Sequence, residues 1–416
     1  MTWKRAAQWV VVRALIRPLV LWRRCVVIAV TGTCGKTTTT LLLDRVYREA
    51  GYHVATCCTE GVFRDGVKSY TGDSSSAFGI WRALRGFRPD VLIAETARGG
   101  LIKWGAGYLR CDAAAVTCVG EDHIGMDGVE TVEQMARVKS RVAASVRADG
   151  VVALNADEPL VRAMSKISPV EPTWVSPSGH PPAGRSVFPR DGKLWRHDDE
   201  GEHAIADLEE IALLDHGARA YNLTAVSLAA GIARGLQKKL PVSDGSLRET
   251  LKSFGRNHGD VPCRNELIPW NGDWILLCSA THAAAAKQDA LLISTMRRRH
   301  GIRSVIVALT GFADRGRDRL RAYAAVVAGV ADFVWVRESL HPPRAEGVDL
   351  TAALCDGLGS VRHVVDKGED FEKLVEALPE SLPGPRLYVI TMARYQPGFD
   401  VERYRAGSPE TGWVRS

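Results

Sequence analysis

The stretch that most constrains the fold is "CVVIAVTGTCGKTTTT" (25–40), an apolar run followed at once by two glycines, a lysine and a row of threonines. The apolar run predicts a buried strand, and "LLLDRVYREAG" after the threonines has the spacing of an amphipathic helix. Glycines between a strand and a helix let backbone N–H groups converge on a phosphate, and the helix N-terminus adds partial positive charge. The sequence therefore predicts a phosphate-binding loop.

Two side chains of this loop have the chemistry that a nucleotide needs. Lys36 can reach β- and γ-phosphates, and the Thr37 hydroxyl can ligate Mg²⁺. Val30 stands where the full phosphate-loop pattern has a glycine, so the match is to the shorter pattern G-x-x-G-K-T. An ordinary glycine turn before a helix is the alternative. We predict that nucleotide binding involves Gly32, Thr33, Cys34, Gly35, Lys36, Thr37 and Thr38.

Runs rich in Val and Ile alternate with helical patterns along the chain, which is typical of parallel sheets with crossover helices. Strands are predicted at 25–30, 53–58, 91–94, 113–119, 151–154, 274–279, 304–310, 333–337 and 386–391, and a helix at 222–235. The Pro- and Gly-rich stretch 168–192 predicts irregular structure or small hairpins. Turn signals at 251–266 mark a domain boundary.

The predicted fold class is α/β. We expect a basic and apolar leader helix at 1–24, a parallel-sheet ATPase domain with a phosphate loop at 25–255, and a Rossmann-like α/β domain at 256–416. The expected active site is the cleft between the two larger domains, completed by domain closure.

Polar side chains follow two further apolar runs. Glu95 ends "DVLIAE" (90–95) and is followed by Arg98 and two glycines, which suit a tight anion-facing loop, whereas His123 follows the run at 113–119. Because the carboxyl ends of parallel strands share one sheet edge, these residues are expected beside the phosphate loop. A carboxylate there can hold Mg²⁺ directly or through water, and an imidazole can bind a metal or a phosphate oxygen. A solvated strand-end Glu is the alternative for Glu95.

Lys139 lies in the middle of an apolar helical stripe, between Met135 and Val142. A lysine that points inward is costly unless it has a partner, so the pattern indicates a functional group. Snorkelling of the side chain to the surface is the alternative.

Composition and charge narrow the class of partner. The net charge of +6 is mild for 416 residues and suggests anionic ligands, and no segment has the density of basic and aromatic residues that predicts nucleic-acid binding. The 9 cysteines are scattered without a CxxC pair, which indicates free thiols in a reducing cytoplasm and no zinc site.

The leader has two interpretations. Arg13 and Arg17 interrupt its apolar stretch, so it is a poor membrane-spanning helix. Trp3, Trp9 and Trp22 beside arginines favour an interfacial helix that contacts a membrane peripherally. A helix packed on the protein's own surface is the alternative.

Four segments together resemble the Mur ligase superfamily: "TGTCGKTTTT", "ETARGGL", "EDHIGMDGVETVEQMARVKSRV" and "LNADEP". "ETARGG" and "DHIG…ARVK" are most similar to the ligase module of cyanophycin synthetase, and poly-γ-glutamate synthase is a member of similar length. The resemblance runs from about residue 26 to 160 and continues weakly through "YNLTAVSLAAGIA", "RNE" and "DRGRD".

The resemblance implies an ADP-forming amide ligase. ATP phosphorylates a carboxylate, and the amine of an amino acid, peptide or poly-amino acid attacks the acyl phosphate. It implies that Thr37 and Glu95 hold one Mg²⁺, that His123 helps to hold a second, and that Lys139 is carbamylated and can also ligate metal. Lys36 would neutralise the transferring phosphoryl group.

The resemblance also assigns residues outside this region. Asn222 matches a residue near the adenine, and Arg264 and Arg315 match arginines that the C-terminal domain brings to the nucleotide. Asp314 and Arg315 follow the apolar run 304–310 in a loop of a type suited to an anion or a ribose.

One departure from the family leaves the incoming substrate open. The family loop "DYAHNP" stands here as "SATHAA" (279–284), in which only His282 is retained. Two other functions therefore stay as alternatives: an ATPase subunit that works with a partner amidotransferase, and a non-catalytic nucleotide-binding scaffold. A homo-oligomer and a partner subunit are equally open.

Overall fold

The computed structural model describes residues 3–121, 123–257, 259–280, 282–311, 316–337, 349–366, 370–391 and 399–406. The chain divides into two compact units, Met1–Gly255 (unit 1) and Arg256–Ser416 (unit 2).

Unit 1 is built on an 11-stranded sheet. Its strands in chain order are β1 (Val26–Thr31), β2 (Val54–Cys58), β3 (Gly61–Arg64), β4 (Val67–Thr71), β5 (Val91–Glu95), β6 (Cys111–Val116), β7 (Val146–Asn155), β8 (Thr173–Val175), β9 (Ser186–Arg190), β10 (Lys193–Asp198) and β11 (Gly201–Asp207). The spatial order is β11-β10-β9-β8-β7-β6-β1-β5-β2-β3-β4. Neighbouring strands are parallel from β9 across to β2, and antiparallel hairpins extend both edges.

The helices of unit 1 connect and cover these strands. They are α1 (Trp3–Val11), α2 (Arg17–Arg23), α3 (Lys36–Glu49), α4 (Ala77–Leu84), α5 (Arg98–Lys103), α6 (Val132–Ala143), α7 (Pro159–Arg162), α8 (Leu223–Gly235) and α9 (Asp244–Ser253). A π-helical turn (Val12–Ile16) joins α1 to α2, and 3₁₀ turns occupy Ala163–Ile167, Leu208–Glu210, Ala212–Leu214 and Ala220–Asn222.

The leader packs on the protein's own surface. Val12, Ile16 and Val20 are 0%, 0% and 5% exposed. Their spacing of four residues places them on one helix face, and they join a core cluster that includes strand residues of β1. The opposite face leaves Leu15 and Trp22 61% and 64% exposed. Within the described part of the chain, no helix has the length and apolarity needed to cross a membrane.

Unit 2 has a six-stranded sheet in the order β12-β13-β17-β14-β15-β16. The strands are β12 (Glu266–Trp270), β13 (Asp273–Cys278), β14 (Ser304–Thr310), β15 (Phe333–Arg337), β16 (His363–Asp366) and β17 (Arg386–Thr391), and the helices are α10 (Ala283–His300), α11 (Arg317–Ala328), α12 (Leu350–Leu358), α13 (Phe371–Glu376) and α14 (Val401–Ala406). Every pairing is parallel except β12 with β13. An aromatic cluster that includes Trp335, Phe371 and Tyr388 fills its core.

The predicted α/β fold class is confirmed. The strand predictions differ from the structure in the ends of some strands and in several strands towards the sheet edges that were not predicted. The strand predicted at 113–119 ends at Val116, and that predicted at 151–154 is the end of the longer β7. Strands β8 and β9 lie within the stretch for which irregular structure or hairpins were predicted. All five residues of β4 are exposed, so this edge strand has no alternating pattern to reveal it.

Candidate active site

The phosphate loop leaves β1 after Thr31 and enters α3 at Lys36. Gly32 and Gly35 have φ angles of 147° and 78°, which favour glycine. A Cβ atom on Gly32 would lie 1.8 Å from Thr117 Oγ1, so any side chain there would collide with the segment that follows β6. The loop therefore needs glycine for both its backbone conformation and its close packing.

Lys36 and the threonines after it anchor the loop to the start of α3. Lys36 Nζ donates to the Thr33 carbonyl at 2.8 Å, so the half-buried side chain curls back over the loop. Thr39 Oγ1 donates to the Gly35 carbonyl at 2.9 Å. Thr37 and Thr38 are 6% and 5% exposed. The segment predicted to bind nucleotide is thus a continuous stretch that forms the turn after β1 and the first residues of α3.

Glu95 lies directly beside this loop. It ends β5, pairs in register with Val30 of β1 and is 1% exposed. Glu95 Oε2 accepts a hydrogen bond from Thr37 Oγ1 at 2.9 Å. Thr59 adds two more hydrogen bonds, from its backbone N–H to Oε2 at 3.1 Å and from its hydroxyl to Oε1 at 2.9 Å.

Thr59 is a residue that the sequence reasoning missed. It follows the end of β2, a third strand that ends at the same sheet edge, and this is the signal that could have identified it. A buried carboxylate beside a threonine hydroxyl is a donor set that suits a divalent cation. Within the described residues no group of three or more His, Cys, Asp and Glu side chains is arranged to hold a metal. Further ligands would have to come from phosphate oxygens and water, as is usual for Mg²⁺.

Lys139 points inward, as its place in the helical stripe predicts. It is 3% exposed on α6, and its Nζ donates to the Gly32 carbonyl at 2.6 Å. The snorkelling alternative is therefore not observed. This contact ties α6 to the phosphate loop across a sequence separation of 107 residues.

The segment after β6 closes the other side of the loop. The Thr33 N–H donates to the Cys118 carbonyl at 2.8 Å, and the Gly120 N–H donates to Thr33 Oγ1 at 3.0 Å. Asn155 Nδ2, at the end of β7, donates to the Thr117 carbonyl at 3.0 Å. Asn155 thus supports the loop indirectly.

His123 lies farther along this segment, half-buried and with a φ angle of 56°. Arg98 holds the same segment: its guanidinium donates to the Met126 carbonyl and forms an ion pair with Asp127 at 3.3 Å. The sequence suggested that the loop around Arg98 faces an anion. The structure instead directs Arg98, which is 6% exposed, to the segment that carries His123.

The remaining predicted residues belong to other elements of the chain. Asn222 is 8% exposed at the start of α8, and its Nδ2 donates to the Leu213 carbonyl at 3.0 Å. Arg264 belongs to unit 2, where its guanidinium donates to the Pro262 carbonyl at 2.7 Å. Asp314 and Arg315 lie outside the described residues. The retained His282 caps α10, its Nδ1 accepting from the Ala285 N–H at 3.3 Å.

With this geometry in view, comparison with known proteins identifies the family. Residues 30–183 match the model of the Mur ligase middle domain. Over these residues the chain belongs to the Mur ligase superfamily. The cyanophycin synthetase of Geminocystis herdmanii is 30% identical over 326 residues, an alignment that covers 76% of this chain and 36% of that protein. The chain spans between 36% and 42% of the length of the cyanophycin synthetases it matches.

Solved structures show the same fold. E. coli FolC in complex with ADP has a TM-score of 0.64 at 17% identity, covering 93% of this chain and 90% of that chain. A bifunctional folylpolyglutamate synthase/dihydrofolate synthase with Mn, AMPPNP and L-glutamate bound has a TM-score of 0.65 at 18% identity, covering 95% of this chain and 92% of that one. At these identities the likeness shows the fold alone.

Proposed function

We propose that this protein is an ATP-dependent amide ligase of the peptide-synthase type that releases ADP and phosphate. The observation that carries the proposal is the convergence on one loop of a buried carboxylate and a buried lysine. Thr37 of the loop donates to Glu95, and Lys139 donates to the Gly32 carbonyl. The name of a structural relative supports the same class, because folylpolyglutamate synthase is named for a polyglutamate product, and glutamate is an amino acid.

The chain's own residues account for the activation step. A carboxylate oxygen of the substrate attacks the γ-phosphorus of ATP, ADP leaves, and an acyl phosphate forms. Lys36 and the loop N–H groups at the start of α3 orient the phosphates and offset their charge. The amine nitrogen then attacks the acyl carbon, loses a proton and expels phosphate.

The proposed metal is Mg²⁺. Thr37 and Glu95 would hold one ion, and His123 with Lys139 would contribute to a second. A bound divalent cation supplies charge neutralisation on the phosphates. Asn222, Arg264, Asp314 and Arg315 are proposed to contact the nucleotide. The support for a divalent metal and a nucleotide is that related folds carry ADP, or Mn with AMPPNP.

The proposed acceptor is the amine of an amino acid, a peptide or a poly-amino acid. The test is a screen of carboxylates and amines that measures ADP and phosphate release by the purified chain. We expect release only when both a carboxylate and an amine are present. Lys36→Ala should reduce turnover by about 10²–10³-fold or more, the effect of removing a charge-stabilising group from the transferring oxygens. Lys68→Ala, on the exposed strand β4, is the matched control.

Three results would contradict the proposal. Full turnover by Lys36→Ala would remove the phosphate-loop assignment. Release that requires ammonia from a copurifying glutaminase would indicate the amidotransferase-coupled subunit instead. Nucleotide binding without hydrolysis across the whole screen would indicate a scaffold.

Residues 1–24 are proposed to contact a membrane peripherally, in a protein that we place in the cytoplasm. The outer face of the leader exposes Trp9, Leu15 and Trp22 by 40%, 61% and 64%. Arg13 lies over the Trp9 ring and Arg23 over the Trp22 ring. Aromatic and aliphatic side chains interleaved with arginines suit an anionic bilayer surface.

A further inference from the structure

Two cysteines lie beside each other where the phosphate loop contacts the segment after β6. Cys34 is exposed within the loop, and Cys118 is half-buried in the segment after β6. The Cys34 N–H donates to Cys118 Sγ at 3.3 Å, and Cys118 Sγ lies 3.7 Å from the Cys34 carbonyl oxygen. The thiol of Cys34 also hydrogen-bonds to that of Cys118.

The backbone keeps the two residues together. Strands β1 and β6 are parallel neighbours with Thr31 opposite Val116, and the contact continues beyond them from the Thr33 N–H to the Cys118 carbonyl. A Cβ atom on Gly32 would lie 3.2 Å from the Cys118 nitrogen. The two thiols therefore lie on neighbouring, closely packed segments and do not depend on a distant movement to meet.

The pKa of the Cys118 thiol is lowered, as it is in reactive cysteines. The hydrogen bond from the Cys34 thiol is the main cause that lowers the pKa of Cys118 to about 5, and backbone hydrogen bonds add to it against the opposing effect of burial. A lowered pKa favours the thiolate, which is the nucleophile in cysteine chemistry. By contrast, burial raises the pKa of the Cys111 thiol to about 12.

We propose that Cys34 and Cys118 are an oxidant-sensitive pair that forms a disulfide between the phosphate loop and the segment after β6 and stops nucleotide binding. The inference rests on the proposed function, because it assumes that this loop binds ATP. The loop N–H of Cys34 is already directed at Cys118 Sγ. A disulfide would hold that sulfur against the loop, so the N–H could not turn to a phosphate.

The chemistry needs a two-electron oxidant of the peroxide class. The Cys118 thiolate attacks one oxygen of hydrogen peroxide, the O–O bond breaks, and hydroxide leaves and takes up a proton to become water. Cys118 is then a sulfenic acid. The Cys34 sulfur attacks the Cys118 sulfur, the S–S bond forms, and the S–O bond breaks. The released hydroxyl leaves with the Cys34 proton as a second water. Two electrons pass from the sulfurs to the peroxide.

The test uses the full chain, reduced or treated with one equivalent of hydrogen peroxide. After alkylation and digestion, mass spectrometry measures the peptide linked through Cys34 and Cys118. In parallel, calorimetry measures binding of MgATP. We expect the linked peptide only after oxidation, together with at least a tenfold loss of ATP affinity that dithiothreitol reverses.

Variants separate the pair from the other thiols. Cys118→Ser and Cys34→Ser are each compared with their own reduced form, and neither should lose affinity on oxidation. Cys355→Ser, in unit 2, is the matched control and should lose affinity as the wild type does.

The outcomes distinguish this inference from the proposed function. If the reduced wild type does not bind MgATP, the proposed function fails whether or not the linked peptide forms. If it binds MgATP and oxidation yields no Cys34–Cys118 peptide, the thiol pair is refuted. A linked peptide with unchanged affinity would refute the control of binding.

Discussion

At the scale of single residues, the buried amine of Lys139 is the group that most needs an explanation. The side chain is 3% exposed, and its Nζ donates to the Gly32 carbonyl at 2.6 Å. Removing an ammonium from water is costly, so a lysine is retained in such a place when its environment compensates for the charge. A carbamate keeps one N–H for the Gly32 carbonyl while it presents an anion able to ligate metal. Both the ammonium and the carbamate nitrogen can donate this hydrogen bond.

Lys139→Ala tests the carbamate. We expect turnover to fall by about 10²–10³-fold, because a charged group is removed beside the transferring phosphoryl group. A small carboxylic acid such as acetate should partly restore it, since its carboxylate can occupy the place of the carbamate. Initial rates with and without acetate provide the measurement.

Lys36→Ala is the control for this rescue, because a carboxylate cannot replace a cation. Acetate should therefore leave Lys36→Ala inactive. Two results together would contradict carbamylation: no rescue of Lys139→Ala by acetate, and an unmodified Lys139 in the mass spectrum of the intact wild-type protein.

At the scale of elements, the leader is a helix with two different faces. The π-helical turn places adjacent residues in opposite environments: Leu15 is 61% exposed and Ile16 is 0% exposed. The inner face contributes to the core of unit 1. The outer face is the one for which membrane contact is proposed.

The pair Leu15→Asp and Ile16→Asp separates these two roles. Ile16→Asp should lower the free energy of unfolding by at least about 2 kcal/mol, because it removes buried apolar atoms and buries a carboxylate. Leu15→Asp should change that free energy by no more than about 0.5 kcal/mol, as exposed substitutions usually do. Urea unfolding measures both.

Cosedimentation with anionic phospholipid vesicles then examines the outer face. The wild type should sediment with the vesicles and Leu15→Asp should do so less, since its new charge opposes both apolar burial and the anionic surface. Equal sedimentation of the two proteins would argue against membrane contact through this face. Equal unfolding free energies of the two variants would argue against the packing.

The segment between β6 and α6 (117–131) is contacted by an arginine of a neighbouring helix. Arg98 of α5 donates to the Met126 carbonyl and pairs with Asp127. His123 belongs to the same segment, so these two contacts hold the stretch of chain on which His123 lies.

At the scale of the whole molecule, each unit has a hydrophobic core of its own. One cluster joins the leader, β1 and α6 in unit 1, and the aromatic cluster around Phe371 and Tyr388 fills unit 2. Domains with separate cores can fold separately.

We therefore expect residues 1–255 to fold when expressed alone. The fragment should unfold in urea in one cooperative transition, monitored by circular dichroism and by tryptophan fluorescence. The full chain, measured in the same way, is the reference. A fragment that shows no cooperative transition, or whose two signals do not coincide, would contradict the division at Gly255.

Much of the candidate site could be anticipated from the sequence because its signals are local. A glycine pair between a strand and a helix, a carboxylate at the end of an apolar run, and a lysine within a helical stripe each occupy a short window. The features that were not predicted also have a physical reason. Thr59 follows an ordinary strand, and β4 is exposed at all five residues, so neither has a pattern that distinguishes it.

The sequence by itself determined the α/β class, the glycine loop between β1 and α3 and the inward direction of Lys139, since hydrophobic periodicity and glycine conformation act over a few residues. Only the tertiary structure decided which groups meet there. Thr37 and Glu95 are separated by 58 residues, Cys34 and Cys118 by 84, and Lys139 and Gly32 by 107. These pairs come together because β1 lies between β5 and β6, and strand register is a property of the assembled sheet.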